Sequence, residues 1–223
     1  MVRAEELRTS YAGLPPLFPR RQDRWHIPRE CEGGTVYILG GGPSFDPAQH
    51  AEALRGKMVI GCNEAFKLGA ELVDWCHFTD LQWWIEHQSE LEAYTGTVTT
   101  CQKLVTDERI KLLGGMGSGV EFEDSSRIGI NRNSGLGAMN IAVHLGAVRI
   151  VLLGFDMCGQ SDAHHWYERE ERGSKDGTYR MHRKYALSVW EDLEAHGGIE
   201  VVNASPNSTL PFWPKTTIEE VLG

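Results

Sequence analysis

No apolar run in this 223-residue chain approaches the roughly 20 residues that a helix needs to span a bilayer. Met1 to Glu30 carry charges throughout and contain no signal-peptide core, so a cytoplasmic protein is expected. Cysteine is sparse. Cys31, Cys62, Cys76, Cys101 and Cys158 are scattered and form no C-x-x-C pair, which argues against a zinc ribbon. Cys62, Cys76 and Cys101 fall in or beside apolar runs and read as buried reduced thiols. Positive charge is short as well, with 22 basic against 31 acidic residues and a net charge of −9. That balance argues against a protein that coats nucleic acid, although it leaves room for a local basic patch. Internal repeats and low-complexity segments are missing. So are a complete G-x-G-x-x-G, a Walker lysine and an H-E-x-x-H pattern.

What is present has a clear order. The apolar run Thr35 to Leu39 leads into Gly40-Gly41-Gly42-Pro43-Ser44 and then a predicted helix, Pro47 to Leu54. A buried strand, a glycine turn and a helix open a nucleotide-binding α/β unit, because glycine lets backbone N–H groups approach a phosphate. Taken alone, the stretch is either that or a tight turn. Further strands are predicted over Lys57 to Asn63, Leu72 to Phe78, Thr97 to Cys101, Ile110 to Leu113, Val148 to Leu153 and Ile199 to Asn203. Helices are predicted after Asp80, from Ser134 as N-cap to Leu145, and from Tyr179 to His196. A short helix follows the prolines of the tail. Gly114 to Asn133 and residues 157–178 read as long loops, of which the first has the character of an active-site lid. Strands alternating with helices imply a doubly wound, mostly parallel α/β sheet. Residues 1–33 read as an N-terminal extension and 34–223 as the domain.

Ligands of such sheets bind beyond the carboxyl ends of the strands. The glycine loop, Asn63, Asp80, Asp156 and Asn203 all fall there, so distant parts of the chain should converge on one crevice. Asn63 offers an amide donor and acceptor, or is simply a turn residue. Ser134 and Gly135 either cap a helix or hold a phosphate, and the two roles are compatible. Asp156 holds a metal or ribose, or caps a loop. His164, His165 and His182, with Asp156 and Asp162, could form a metal cluster, but their spacing matches no known pattern. His182 shares a predicted helix face with Ala186, Val189 and Leu193 and can serve as a general base or a core histidine. Tyr167 and Tyr179 bracket the second loop as phosphate donors or packing residues. The run Asn203 to Ser208, with Ser205 and Asn207, is either a binding loop or turn chemistry.

Gly40-Gly41-Gly42-Pro43-Ser44, Cys62-Asn63, Asn133-Ser134-Gly135 with Ala138 and Ala142, Leu145-Gly146-Ala147 and Leu153-Gly154-Phe155-Asp156 together resemble a known group. They are similar to the bacterial sialyltransferases of glycosyltransferase family 42 and to the related DUF115 and MptE-like proteins. His182 with its helix and the run Val201 to Leu210 continue the resemblance, which covers about residues 35 to 213. It implies a single Rossmann-like domain, a variant of the GT-A fold, with a lid loop and a CMP-sugar-like donor. The family's donor contacts fall on Gly41, Asn63 and Ser134, and its general base falls on His182. Gly41 stands where the family has asparagine. The family's phosphate-binding tyrosines fall near Cys158 and His164, with His164 or His165 and Tyr167 or Tyr179 as the available substitutes.

The resemblance thus implies a sugar transferase acting on a glycan or other hydroxyl acceptor. It needs no cofactor, and homo-oligomers fit the family. Two alternatives stay open. One is an MptE-like pyrophosphoryl or nucleotidyl transferase, with Mg²⁺ held by Asp156 and Asp80. The other is a nucleotide-binding module without catalysis.

Overall fold

The computed structural model describes residues 21–158, 165–167 and 175–223. Strands β1 (Thr35–Leu39), β2 (Met58–Cys62), β3 (Trp75–Phe78), β4 (Thr97–Thr100) and β5 (Lys111–Leu112) run outward in sequence order. A short parallel pair follows, β6 (Gly114–Met116) with β7 (Arg127–Gly129). The chain then returns to the other side of β1 with β8 (Arg149–Leu153) and β9 (Glu200–Asn203). The seven-stranded sheet has the order β5-β4-β3-β2-β1-β8-β9, and every pairing within it is parallel. It is an α/β Rossmann-like sheet. The order reverses between β1 and β8, in register from Thr35 opposite Arg149 to Leu39 opposite Leu153. That seam is the topological switch point, where such sheets open a crevice.

Among the described residues the α-helices are α1 (Pro47–His50), α2 (Leu81–His87), α3 (Ser134–His144), α4 (Lys175–His196) and α5 (Ile218–Leu222). Side chains alternate across the sheet. Val36, Ile38, Ile150 and Leu152 pack with Leu136, Met139 and Ile141 of α3 and with Ala186, Val189 and Leu193 of α4. Leu39, Val59, Val151 and Leu153 point the other way, onto Phe45, Leu54, Ile218 and Leu222. All of α3 is buried except Val143, so it is a central helix rather than an amphipathic surface one.

Several boundaries differ from the sequence expectation. The predicted helix Pro47 to Leu54 is a four-residue α-turn continued by a 3₁₀ turn, Ala51–Leu54. The cap of α3 is Asn133, whose side chain accepts from Leu136 N, and Ser134 is already helical. Helix α4 begins at Lys175, so His182 lies two turns inside it and not in its first turn. Residues 175–178 read Lys-Asp-Gly-Thr and carry no apolar period that could have announced the start. The stretch Gly114 to Asn133 is not a structureless lid. It contains β6 and β7 and is pinned by two buried amides. Asn140 Oδ1 accepts from Glu121 N at 2.7 Å and Gly129 N at 2.9 Å. Asn131 accepts from Gly119 N at 2.8 Å and donates to Gly119 O and Gly129 O. The described part of the N-terminal segment packs on the domain. Trp25 N donates to Leu112 O at 2.9 Å, its ring meets that of Trp75 at 5.5 Å, and Ile27 is buried.

Candidate functional site

A cavity of about 330 Å³ opens at the carboxyl ends of β1, β2, β3 and β8. Its walls come from seven parts of the chain. Gly40, Gly41 and Gly42 follow β1, while Asn63 follows β2. Thr79, Asp80 and Trp83 follow β3, and Gly154 to Cys158 follow β8. Arg132, Asn133, Ser134 and Gly135 bring the start of α3, and Thr178, Tyr179 and His182 come from α4. His165 and Tyr167 complete the lining.

The glycine loop is built differently from a phosphate cradle. Gly40 N donates to Leu153 O and Gly42 N to Gly154 O, both at 2.8 Å. These two N–H groups stitch β1 to β8 and are unavailable to a ligand. Pro43 has no N–H, and Ser44 donates from both Oγ (2.9 Å) and N (3.3 Å) to Asp156 Oδ2. Among the described residues, only Gly41 N–H of the loop remains without an acceptor. Glycine is required for another reason, close approach. A Cβ at Gly42 would stand 2.0 Å from Asp156 Oδ2, and one at Gly40 would stand 2.7 Å from Gly154 O. Asp156 is 1% exposed and braces the seam. Pro43 and Ser44 lie behind the cavity wall and are not part of its lining.

The electropositive side is the start of α3. Asn133 caps it by accepting from Leu136 N at 3.0 Å. The N–H groups of Ser134 and Gly135, first in the helix, have no intrahelical acceptor, and both residues line the cavity at the positive end of the helix dipole. Gly135 lets the helix start sit against Phe155, whose Cζ would lie 2.6 Å from an added Cβ. Ser134 Oγ lies 3.1 Å from Thr79 Oγ1 and 3.4 Å from Asn63 Oδ1. The ends of β2 and β3 and the start of α3 thus share one polar cluster.

Backbone strain concentrates here. Asn63 (φ 53°), Arg132 (φ 48°) and Met157 (φ 53°) are left-handed and line the cavity, and Asn131 (φ 52°) adjoins it. Among the described residues these four are the non-glycine residues with positive φ. Met157 lacks the short polar side chain that favours this region, so its conformation costs about 1 kcal/mol or more.

His182 stands on the cavity side of α4, in line with the buried Ala186, Val189 and Leu193. Tyr179 and Thr178 precede it on the same wall. Asp80 lines the cavity, but its Oδ1 caps α2, accepting from Gln82 N at 2.7 Å. His164 and Asp162 lie outside the described residues. Ser205 is fully buried and accepts from Phe155 N at 2.8 Å, so it braces the strand end rather than a ligand. Asn207 is exposed, does not line the cavity, and accepts at its carbonyl from Cys158 Sγ.

Sequence reasoning passed over Arg132, Thr79, Trp83 and Phe155. Arg132 could have been found only as the neighbour of Asn133. Its left-handed backbone leaves no mark in composition. Among the described residues, Glu64, His87 and Glu90 have metal-like spacing. Lys67 Nζ lies 2.9 Å from Glu64 and 3.1 Å from Glu90, so an ammonium already stands where a cation would.

No protein-family model matches the sequence, and a search of curated proteins returns no match. Solved structures give loose likenesses. One is the sialyltransferase CstII from Campylobacter jejuni in complex with cytidine-5'-monophosphate, at 14% identity over 82% of this chain and 85% of that one, TM-score 0.48. Another is a CST-II complex with a trisaccharide acceptor and CMP, at 13% identity over 81% and 85%, TM-score 0.44. The likeness concerns the course of the chain.

Proposed function

We propose that this protein is a glycosyltransferase that moves a sugar from a nucleotide-sugar donor, of CMP-sugar type, to an acceptor hydroxyl, with His182 as general base. The observation that carries the reading is the meeting of one helix start and one histidine across a single cavity at the switch point. The N–H groups of Ser134 and Gly135, with Arg132 beside them, suit the negative charge that collects on a departing phosphate. Asn63 supplies an amide for the nucleoside. His182 removes the proton of the acceptor hydroxyl as its oxygen attacks the anomeric carbon and the bond from that carbon to the phosphate oxygen breaks. The motif resemblance points to the same assignment.

The competing Mg²⁺-dependent nucleotidyl or pyrophosphoryl transfer would need Asp156 and Asp80 as ligands. Asp156 Oδ2 is engaged by Ser44 and Asp80 Oδ1 by the first turn of α2, which supports the metal-independent reading. The test is turnover of CMP-sugar donors over an acceptor panel, with and without EDTA, by wild type and His182→Ala. The variant should lose about 10²- to 10⁴-fold in turnover while binding CMP as before, and EDTA should leave the wild type active. Full activity in the variant would sink the assignment, and silence under EDTA would favour the metal-dependent alternative.

A further inference from the structure

The glycine loop presents two outward carbonyls, Gly40 O and Gly41 O, beside the site where an anion is expected. Both are covered by one short segment. Trp166 Nε1 donates to Gly40 O at 2.8 Å, and Trp166 N donates to Gly41 O at 3.0 Å. The indole also packs edge-on against Phe45, with centroids 6.0 Å apart, within the apolar cluster under β1 and β8. Its two neighbours turn the other way and line the cavity. The rings of His165 and Tyr167 stack on each other, 4.9 Å apart and 4° from parallel. They stand directly over Gly41. A Cβ built there would lie 2.8 Å from the Tyr167 hydroxyl and 2.9 Å from His165 Nδ1. The backbone of Gly41 does not require glycine, because its φ is outside the left-handed region. Position 41 is therefore glycine for space, and the space is filled by the stacked pair.

We propose that Trp166 is a positioning residue. It clamps residues 165–167 onto the glycine loop and thereby holds His165 and Tyr167 over Gly41, where they take the place of a residue-41 side chain and contact the ligand's phosphate. The proposal rests on the nucleotide reading given above. Three consequences follow from the geometry. The clamp covers two carbonyl dipoles that would otherwise repel an anion. It sets two polar side chains over Gly41, whose N–H is the one loop amide still available and whose carbonyl lies 3.3 Å from His165 Nδ1. It also makes the loop and the clamp interdependent, so a defect in either should produce the same phenotype.

The experiment compares CMP with cytidine by calorimetric titration of wild type, Trp166→Phe, Trp166→Ala and Gly41→Ala, with unliganded melting temperatures recorded alongside. The ratio of the two dissociation constants isolates the phosphate's share of binding. Wild type should bind CMP more tightly than cytidine. Trp166→Ala and Gly41→Ala should each reduce that ratio about tenfold, the size of a lost hydrogen bond to a charged group. Trp166→Phe, which keeps the ring packing and the backbone bond, should fall between them and wild type. A purely structural role for Trp166 would lower the melting temperature and weaken both ligands equally, and that result would overturn the proposal. Unchanged ratios in Trp166→Ala and Gly41→Ala would overturn it too, while leaving the nucleotide reading intact. Failure of wild type to bind any nucleoside monophosphate would remove the nucleotide reading and this inference together.

Discussion

His77 ends up deep beneath the cavity, on β3, with no exposed surface. Its Nδ1 lies 2.9 Å from Thr99 Oγ1, and Nε2 has no polar partner. Gly137 of α3 is the neighbour on that side, and a Cβ there would approach Nε2 to 2.9 Å. Burial therefore pushes the imidazole down to about 4 from 6.5. Between those values the unfolded chain holds a proton that the folded chain refuses. Stability from this group is complete above pH 6.5 and is lost as the pH falls towards 4, by up to about 3 kcal/mol. Urea unfolding of wild type and His77→Gln at pH 7.5 and 4.5 checks the sign. The wild type should lose more stability between the two pH values than the variant. Equal losses would mean that the group does not resist protonation. The buried thiols behave in parallel. Cys62 is raised to about 12 by desolvation, so it is inert rather than nucleophilic at neutral pH.

At the scale of elements, α3 carries most of the proposed ligand chemistry, and its cap decides both its stability and its charge. Asn133→Ala removes the acceptor for Leu136 N and should cost about 1 kcal/mol in denaturant unfolding. Asn133→Asp keeps a good cap but adds negative charge where an anion is to bind. It should leave unfolding nearly unchanged and weaken CMP binding clearly. A variant that bound CMP as well as wild type would detach α3 from the phosphate. The same helix shows where sequence reading succeeds and stops. Its extent was legible, because Leu136, Met139 and Val143 recur at helical spacing and Gly146 (φ 92°) closes it. Which residue caps it was not, since Asn133 and Ser134 are both good caps and the choice depends on the extended backbone of Asn133. Strand β8 was legible from the apolar run Ile150 to Leu153 that follows Arg149. The start of α4 was hidden in a polar stretch, so His182 reads as belonging to the first turn when it sits two turns in.

At the scale of the molecule, the convergence of the ends of β1, β2, β3 and β8 was legible before the sheet order was known, because any doubly wound sheet directs them to one side, whereas Asn203 at the end of β9 is buried and does not line the cavity. What those ends do to each other was not legible. The pairing of Gly40 and Gly42 with β8 and the service of Ser205 as a brace depend on β8 lying beside β1 and β9 beside β8. A ligand that binds this crevice joins both sides of the seam and should stabilise the whole fold. At 100 times its dissociation constant it adds about 2.7 kcal/mol, equivalent to a rise of roughly 5–10 °C in melting temperature for a domain of this size. In a thermal-shift comparison of CMP, UDP, GDP and ADP, CMP should give the largest rise. A larger rise with any of the others would redirect the donor assignment.

The β1–β8 seam also sets an order of events during synthesis. Strand β1 emerges early, but its second neighbour begins only at Arg149. Through the intervening translation one side of β1 stays an open edge, with unpaired backbone groups that can recruit another chain. The wall made by Gly154 to Cys158 and α4, and all the contacts of Gly40, Gly42 and Ser44 with residues 153–156, form only when that late segment arrives. Nascent chains arrested before Arg149 should therefore be prone to self-association and have no ligand-binding crevice, and release of the next strands should end both conditions together.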